Sequence, residues 1–560
     1  MTFALRAAPV SGNTSGMGKS DQLVAAATWK QQAVRNPAGY YDLVTEDTAG
    51  VPVRLFFTAE LLRNAETTLY RQIVNATRFP GAKLVAITPD AHYGYGVPVG
   101  CVILTDAQWG AVAMGPVGFD IGCGMMSARS EVDADEATPD RRRAFNAAVM
   151  ERVEMGMGGV SRRFSGVDKR EFNELVRGGA EYYVDRYGAS FNRSHAERHR
   201  IPVEDTWDIP WGGPGRPERG LAQIGSLGGG NHFIELQRSS QTGTLFVQVH
   251  TGSRGFGHGL ATNYFELARA ERPDVRDIDL GFFMAGSKHY RSYLNAVAAG
   301  GNYAILNRLV IFEAIAEAFQ KVFRRPLELV YEISHNLVQR EWHPEYGEVL
   351  VHRKGATRAF PAGHPALAGT QWEATGHPVL IPGSNKDYSF ILRPLSGAAA
   401  SGFSVNHGAG RQMSRGEAAR SLSQSQVDAD YRKAGILVNL DGRVPLDEAA
   451  PCYKSSREVV QAVLDAGLAE IEHELWPLSS LKGTDERAGR RGKKEKGGRA
   501  AQSPEQRKLS RKRADLTAAE LDAELEADRI AGFQFDADND SDSDSDDDGS
   551  DSSDPSSSHY

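Results

Sequence analysis

Between Gly115 and Met126 (GPVGFDIGCGMM) a carboxylate, Asp120, and a thiol, Cys123, stand three positions apart in a run of glycines. That spacing lets both converge on a metal ion, and sulfur has enough lone pairs to bridge two ions. D-x-x-C alone usually marks a turn with a buried, inert cysteine. Chemistry needs further ligands, and histidines supply them in a repeated setting: His232 in GGGNHFIE, His250 in HTGSRG, His335 in SHN and His407 in NHGAGR. One histidine at a strand end is usually structural, but recurrence beside D-x-x-C changes that reading. Neutral imidazole and thiolate suit borderline transition metals, and aspartate adds a hard oxygen. The spacing is not that of a zinc finger, which argues against a structural zinc. Two ions sharing one sulfur suit phosphoryl chemistry, where attacking and leaving oxygens both need charge stabilisation.

His407 stands apart from the other four. It is flanked by small residues and followed by Arg411. An accessible imidazole nitrogen there is a nucleophile toward phosphorus, and an arginine binds phosphate through two parallel N–H groups. Arg254, Arg353, Lys354 and Arg358 are further candidates for anion binding.

These residues must be positioned by strands that end in loops. Apolar runs predict strands at 84–87, 99–105, 111–114, 244–249 and 327–333. The stretch PDAHYGYG (89–96) reads as a loop after the first of them. Apolar residues at helical spacing predict a helix over 303–323, with Asn302 as its N-cap, and another over 456–475. Residues 139–200 read as charged and helical. Their arginines at 141–143, 162, 163 and 170 are individually solvated surface charges and together only suggest a polyanion-binding face. A Pro/Gly/Trp-rich loop over 205–220 has no evident role. GNTSGMGKS (12–20) fails as a phosphate-binding loop, because Asn13 occupies the first glycine position and no strand precedes it.

The 560 residues are 41% hydrophobic, enough for a sizeable core, and the fold class expected is a mixed α+β domain. Three cysteines exclude a disulfide framework and point to a reducing cytoplasm. No secretory signal or 18-residue apolar run is present, so no membrane association is expected. The net charge of −8 misleads, because residues 536–560 hold ten Asp and no Lys or Arg, leaving +2 for the remainder. The expected organisation is a flexible N-terminus (1–27), a catalytic domain (28–483), a basic linker (484–515), a short charged helix (516–534) and a disordered Asp/Ser tail (535–560).

With these motifs assembled, the chain resembles the RtcB family of GTP-dependent RNA-splicing ligases over roughly residues 84–483. The matching stretches are PDAHYGYG, GFDIGCGM, GGGNHFIE, HTGSRG, SHN, RKGATRA (353–359), PGS (382–384), HGAGR (407–411), YK (453–454) and KG (482–483), in that order.

The resemblance implies a single large domain with a central metal cleft. It implies two manganese ions, one held by Cys123, His250 and His335, the other by Asp120, Cys123 and His232; ligand softness alone would have suggested zinc. His407 would take GMP from GTP, pass it to an RNA 3′-phosphate, and release it when a 5′-hydroxyl end attacks. A 2′,3′-cyclic phosphate would first be hydrolysed. Asn231 would contact the triphosphate. Glu235, Ser384, Ser389, Ala409, Tyr453 and Lys482 would form the guanine nucleotide pocket, with Gly410 and Arg411 beside the nucleophile, and Asp90 matches a family residue linked to catalysis. The partners implied are RNA ends in tRNA splicing or RNA repair, with room for an activating protein and a monomer as the expected state. One departure falls on the pocket: after Pro-Gly-Ser384 the family usually continues Met-Gly-Thr, whereas this chain has Asn385-Lys386-Asp387-Tyr388.

Two other classes fit parts of the pattern. A metal phosphoesterase would need the cluster but not His407, Glu235, Tyr453 or Lys482. A non-catalytic RNA-binding factor would use the basic segment and the acidic tail.

Overall fold

The computed structural model describes residues 23–483 apart from 162–163, 165–166 and 188–199. The described residues belong to a unit spanning Met1–Arg499; a second unit, Ala500–Tyr560, and the linker, charged helix and acidic tail expected from the sequence lie outside them. Residues 23–27 are tied down, since the backbone N–H groups of Val24 and Ala25 donate to the Asp47 carboxylate. No described helix is long and apolar enough to cross a membrane.

Two mixed sheets carry the fold. One runs, edge to edge, through Ala33–Arg35, Tyr41–Leu43, Val53–Leu55, Ala82–His92, Val99–Asp106, Gly347–Lys354 and Asn336–His343. The other runs through Glu328–Ser334, Gly124–Asp133, Thr244–Thr251, Phe233–Ser239, Ala469–Lys482, Ser389–Pro394 and Val379–Ile381, with Leu437–Val438 added beside Ala469–Lys482.

The second sheet is buried on both faces, and alternation sorts its apolar residues between two cores. Met126, Ala128, Ile234, Leu236, Val247, Val249 and Leu329 pack into the largest core with the helix Tyr290–Phe323. Met125, Phe233, Phe246, Tyr331 and Ile333 fill a smaller core on the opposite face. The parity of Phe246 and Ile333 continues into His250 and His335, so both imidazoles emerge on that opposite face. Gly124 pairs with Thr251 on one side and Ser334 on the other, which brings Cys123, His250 and His335 to the same end of three adjacent strands.

Three expectations need correction. The helix expected over 303–323 is Tyr290–Phe323, 34 residues long. Asn302 therefore lies in its interior, fully buried, and its amide bonds Val176 and Ile201 instead of capping. The helix is buried nearly all round, so its first turns lack the one-sided stripe that marks a surface helix. The helix expected over 456–475 stops at Asp465, and Ala469–Lys482 is a strand. Gly467 turns the chain there, and alternating Glu470, Glu472 and Glu474 fit one face of a strand better than a helix face. The strand expected over 84–87 extends to His92, so Asp90 sits inside it.

Candidate metal centre and nucleotide site

Asp120, Cys123, His232, His250 and His335 converge. Two overlapping sets, Cys123–His250–His335 and Asp120–Cys123–His232, each gather their donor atoms within 4.8 Å of one another. Cys123 Sγ lies 3.2 Å from His250 Nε2 and 3.6 Å from His232 Nε2. His232 Nε2 is 3.1 Å from Asp120 Oδ2, and His250 Nε2 is 3.4 Å from His335 Nε2.

The outer nitrogens fix the tautomers. His232 Nδ1 donates to the Leu227 carbonyl at 3.0 Å, and His250 Nδ1 donates to the Asn231 carbonyl at 3.2 Å. Both rings therefore turn Nε2 toward the cluster, and on His250 that nitrogen is a bare lone pair. Burial, then neighbouring imidazoles, hold His250 and His335 well below the ordinary imidazole range. Unprotonated lone pairs facing one another and a sulfur repel, and a cation between them relieves the conflict. His335 Nδ1 is buried with no partner. The donor set thus fits divalent ions.

Asp120 is steered by the backbone behind it. Its Oδ1 accepts from the Ser253 N–H at 2.9 Å. Gly252 leaves the space, because a Cβ there would fall 2.2 Å from that oxygen. Burial works against the carboxylate, but the hydrogen bond and charge of His232, with Arg254 behind, hold its pKa well below the usual range. Burial, then Asp120, push the Cys123 thiol up; a coordinated ion reverses that balance.

His407 borders this cluster. Its ring centroid is 4.8 Å from that of His335. Asp90, fully buried, approaches His407 Nδ1 at 2.6 Å and accepts from the backbone N–H groups of His407 and Gly408 at 3.1 and 3.3 Å. Thr88 Oγ1 donates to the other Asp90 oxygen at 2.5 Å. Although burial opposes it, the close approach of His407 and the Thr88 hydrogen bond hold the Asp90 carboxyl below its ordinary value.

The chain belongs to the RtcB family. The family profile, described as tRNA-splicing ligase RtcB, matches residues 72–483. Among relatives, the Mycobacterium tuberculosis RNA-splicing ligase RtcB is 36% identical over 444 residues, covering 74% of this chain and 100% of that one. The Thermococcus kodakarensis tRNA-splicing ligase RtcB is 33% identical over 467 residues, 77% of this chain and 95% of its own. That of Nanoarchaeum equitans is 33% identical over 472 residues, 79% and 98%.

The residues that the RtcB resemblance assigned to a nucleotide fall in two groups. Glu235 and Ser389 meet through Gln237, whose Nε2 donates to Glu235 Oε1 at 2.7 Å and to Ser389 Oγ at 3.0 Å. Burial pushes the Glu235 carboxyl up to about 7 against that bond and the Lys482 charge. Ser384 lies next to this group through Gly383, whose N–H donates to Ser389 Oγ at 3.1 Å. The second group, Arg411, Tyr453 and Lys482, closes on Glu448: Tyr453 Oη donates at 2.6 Å, Lys482 Nζ at 3.1 Å and Arg411 at 3.5 Å. Ala409 is buried and Gly410 continues the His407 loop, while Asn231 is exposed beside His232.

Sequence reasoning missed Glu448, Gln237 and Thr88. Nothing in the sequence separates Glu448 from its acidic neighbour Asp447. Of the other anion-binding candidates, Arg353 is buried in a two-point pair with Glu341 at 2.6 and 2.8 Å, and Lys354 donates to the carbonyls of Tyr95 and Val97. Both are internal ties. The divergent segment is wired into its surroundings: Asn385 accepts from Tyr431, Lys386 pairs with Asp430 and Asp387 accepts from the Ser456 N–H.

Proposed function

We propose that this chain is a GTP-dependent RNA ligase that joins a 3′-phosphate or 2′,3′-cyclic phosphate end to a 5′-hydroxyl end. The observation that carries the reading is the contact between His407 and His335, which lets one substrate reach both the nucleophile and the Cys123 cluster.

With Nδ1 turned to Asp90, His407 keeps Nε2 as its free lone pair. Nε2 attacks the α-phosphorus of GTP, and pyrophosphate leaves with the bonding electrons. The resulting GMP passes from His407 to an RNA 3′-phosphate, restoring the imidazole. A 5′-hydroxyl oxygen then attacks that activated phosphorus and GMP departs; a cyclic phosphate is opened by water beforehand. Asp90 stabilises the positive charge that His407 develops. Glu235 accepts from guanine N1–H and N2–H₂, donors that adenine lacks, and Lys482, Tyr453 and Arg411 meet the rest of the nucleotide. Cys123, His250 and His335 would hold one manganese ion, and Asp120, Cys123 and His232 the other. When bound, such ions neutralise phosphate charge and polarise the phosphorus.

Incubation with manganese and α-labelled GTP tests the reading. The chain acquires acid-labile, alkali-stable label, His407→Ala abolishes it, and supplying RNA with 3′-phosphate and 5′-hydroxyl ends discharges it into a sealed strand. An unlabelled wild-type chain that still hydrolyses cyclic phosphate would make the protein a phosphodiesterase.

A further inference from the structure

Arg308 lies in the middle of the helix Tyr290–Phe323 with 0% exposure. Its Nε donates to Glu332 Oε1 at 2.5 Å, and that carboxylate, also fully buried, balances the charge. Three further bonds leave the guanidinium. One terminal nitrogen donates to the Gly122 carbonyl at 2.8 Å and the Thr251 carbonyl at 2.9 Å; the other donates to Ser334 Oγ at 2.7 Å. Gly122 precedes Cys123, Thr251 follows His250, and Ser334 precedes His335.

We infer that Arg308 is the positioning residue of the Cys123–His250–His335 ligand set, fixing three strand ends at the separation an ion requires. The inference rests on reading that cluster as a metal centre. Glu332 accounts for the buried charge, but it does not account for one bond to the neighbour of each ligand. Those acceptors lie where water cannot serve them, so each needs a protein donor. A planar fork with fixed N–H directions sets the spacing of three acceptors, whereas a lysine has a single nitrogen on a flexible stem. Asn307, the next residue on the same helix, extends the arrangement: its amide donates to the carbonyls of Ser226 and Gly252 and accepts from the Gly225 N–H. Those segments flank Leu227, which orients His232, and Ser253, which holds Asp120.

Cobalt(II) is the probe, because a cobalt–thiolate bond gives a near-ultraviolet charge-transfer band and visible bands that report coordination. Full-length wild type, Arg308→Lys and Ser334→Ala are titrated with cobalt, and the melting temperature of each metal-free protein is measured separately. Arg308→Lys should lose cobalt affinity by roughly 10- to 100-fold, the range for outer partners of metal ligands, and its thiolate band should shift or fade. Ser334→Ala removes one arm and should lose about threefold, as for a single net hydrogen bond. A folded Arg308→Lys with wild-type affinity and band would overturn the inference. Should that variant not accumulate as folded protein, Ser334→Ala decides alone, and wild-type binding there is the overturning result. A wild-type chain with no cobalt–thiolate band brings down the metal-centre reading and this inference together, which separates the two failures.

Discussion

His407 Nδ1 and Asp90 Oδ2 lie 2.6 Å apart, and the aspartate is fully buried in the interior of a strand. The same oxygen takes the backbone N–H groups of His407 and Gly408, so one atom fixes both the loop and the ring. Asp90→Asn keeps the shape but loses the charge. Histidine labelling by GTP should fall on the order of 10²-fold or more, while metal affinity stays near wild type. The linked stability has a defined sign. The folded pKa of Asp90 is lowered, so its contribution is present above the ordinary carboxylate range and is lost as pH falls through the folded value. Equal acid unfolding of wild type and Asp90→Asn would remove that contribution.

Glu235 behaves in the opposite way. Burial raises its carboxyl to about 7, so without nucleotide it holds its proton below that pH. Stability from this group should decline between the ordinary carboxylate value and about 7, because the folded state binds the proton more tightly. In the guanine recognition proposed above Glu235 accepts as the ionised form, so GTP affinity should rise as pH increases through about 7. Glu235→Gln should weaken GTP by about 10- to 100-fold, as for hydrogen bonds to a charged group, and flatten that pH profile. Calorimetric titration at several pH values reads both effects.

Glu448 gathers Lys482, Arg415, Arg411 and Tyr453. Against its burial, the charges of Lys482, Arg415 and Arg411 pull its carboxyl down to about 2. That depression corresponds to about 3 kcal/mol, present above the ordinary glutamate value and lost as pH falls from there toward about 2. Glu448→Gln leaves Lys482 buried without a counter-charge and should cost roughly 3–5 kcal/mol in urea unfolding. On the proposed function GTP affinity should fall with it, since Lys482, Tyr453 and Arg411 lose their common anchor.

How far the sequence foretold this arrangement depends on what holds each residue. Strands Thr244–Thr251 and Glu328–Ser334 were legible because they are short apolar runs ending in polar loops, and those ends carry His250 and His335. The convergence of Asp120, Cys123, His232, His250 and His335 was legible because these residue types are rare and recur in one setting. Residues 469–475 read as the end of a helix because Ile471 and Leu475 stand four apart, and only pairing with Phe233–Ser239 and Ser389–Pro394 selects a strand there. Glu448 and Arg308 were illegible for a different reason. Each acts on residues distant in the chain, and a charged residue in a sequence reads as solvated until its partners are known.

Chelation should expose the coupling between the cluster and the fold. Without an ion, the Nε2 lone pairs of His250 and His335 and the Cys123 thiol crowd one another, with His250 Nε2 3.2 Å from the sulfur and 3.4 Å from His335 Nε2. Removing divalent metal from the purified chain should lower its melting temperature, and returning manganese should restore it. Cys123→Ser keeps the size but replaces the soft bridging donor, so the metal-dependent part of the shift should largely vanish. A chelator-insensitive melt in wild type would show that the five donors stand together without an ion.

Gly355 offers a finer test of the same contact between His407 and Asp90. It adopts φ +60°, and a Cβ there would fall 2.5 Å from Val99 Cγ1, 2.9 Å from His407 Cε1 and 3.0 Å from His407 Nδ1. Gly355→Ala therefore pushes directly on the ring. The left-handed backbone should cost roughly 1–2 kcal/mol for any residue with a Cβ. If His407 is the nucleophile proposed above, displacing it should cost far more in rate, on the order of 10²-fold in labelling by GTP for a shift near 1 Å. Gly347→Ala separates the two effects, because Gly347 has φ +71° with nothing within 4 Å of its Cβ position. That control should lose comparable stability and keep its labelling rate. If both variants were labelled at the wild-type rate, the alignment of His407 against Asp90 would not govern the transfer.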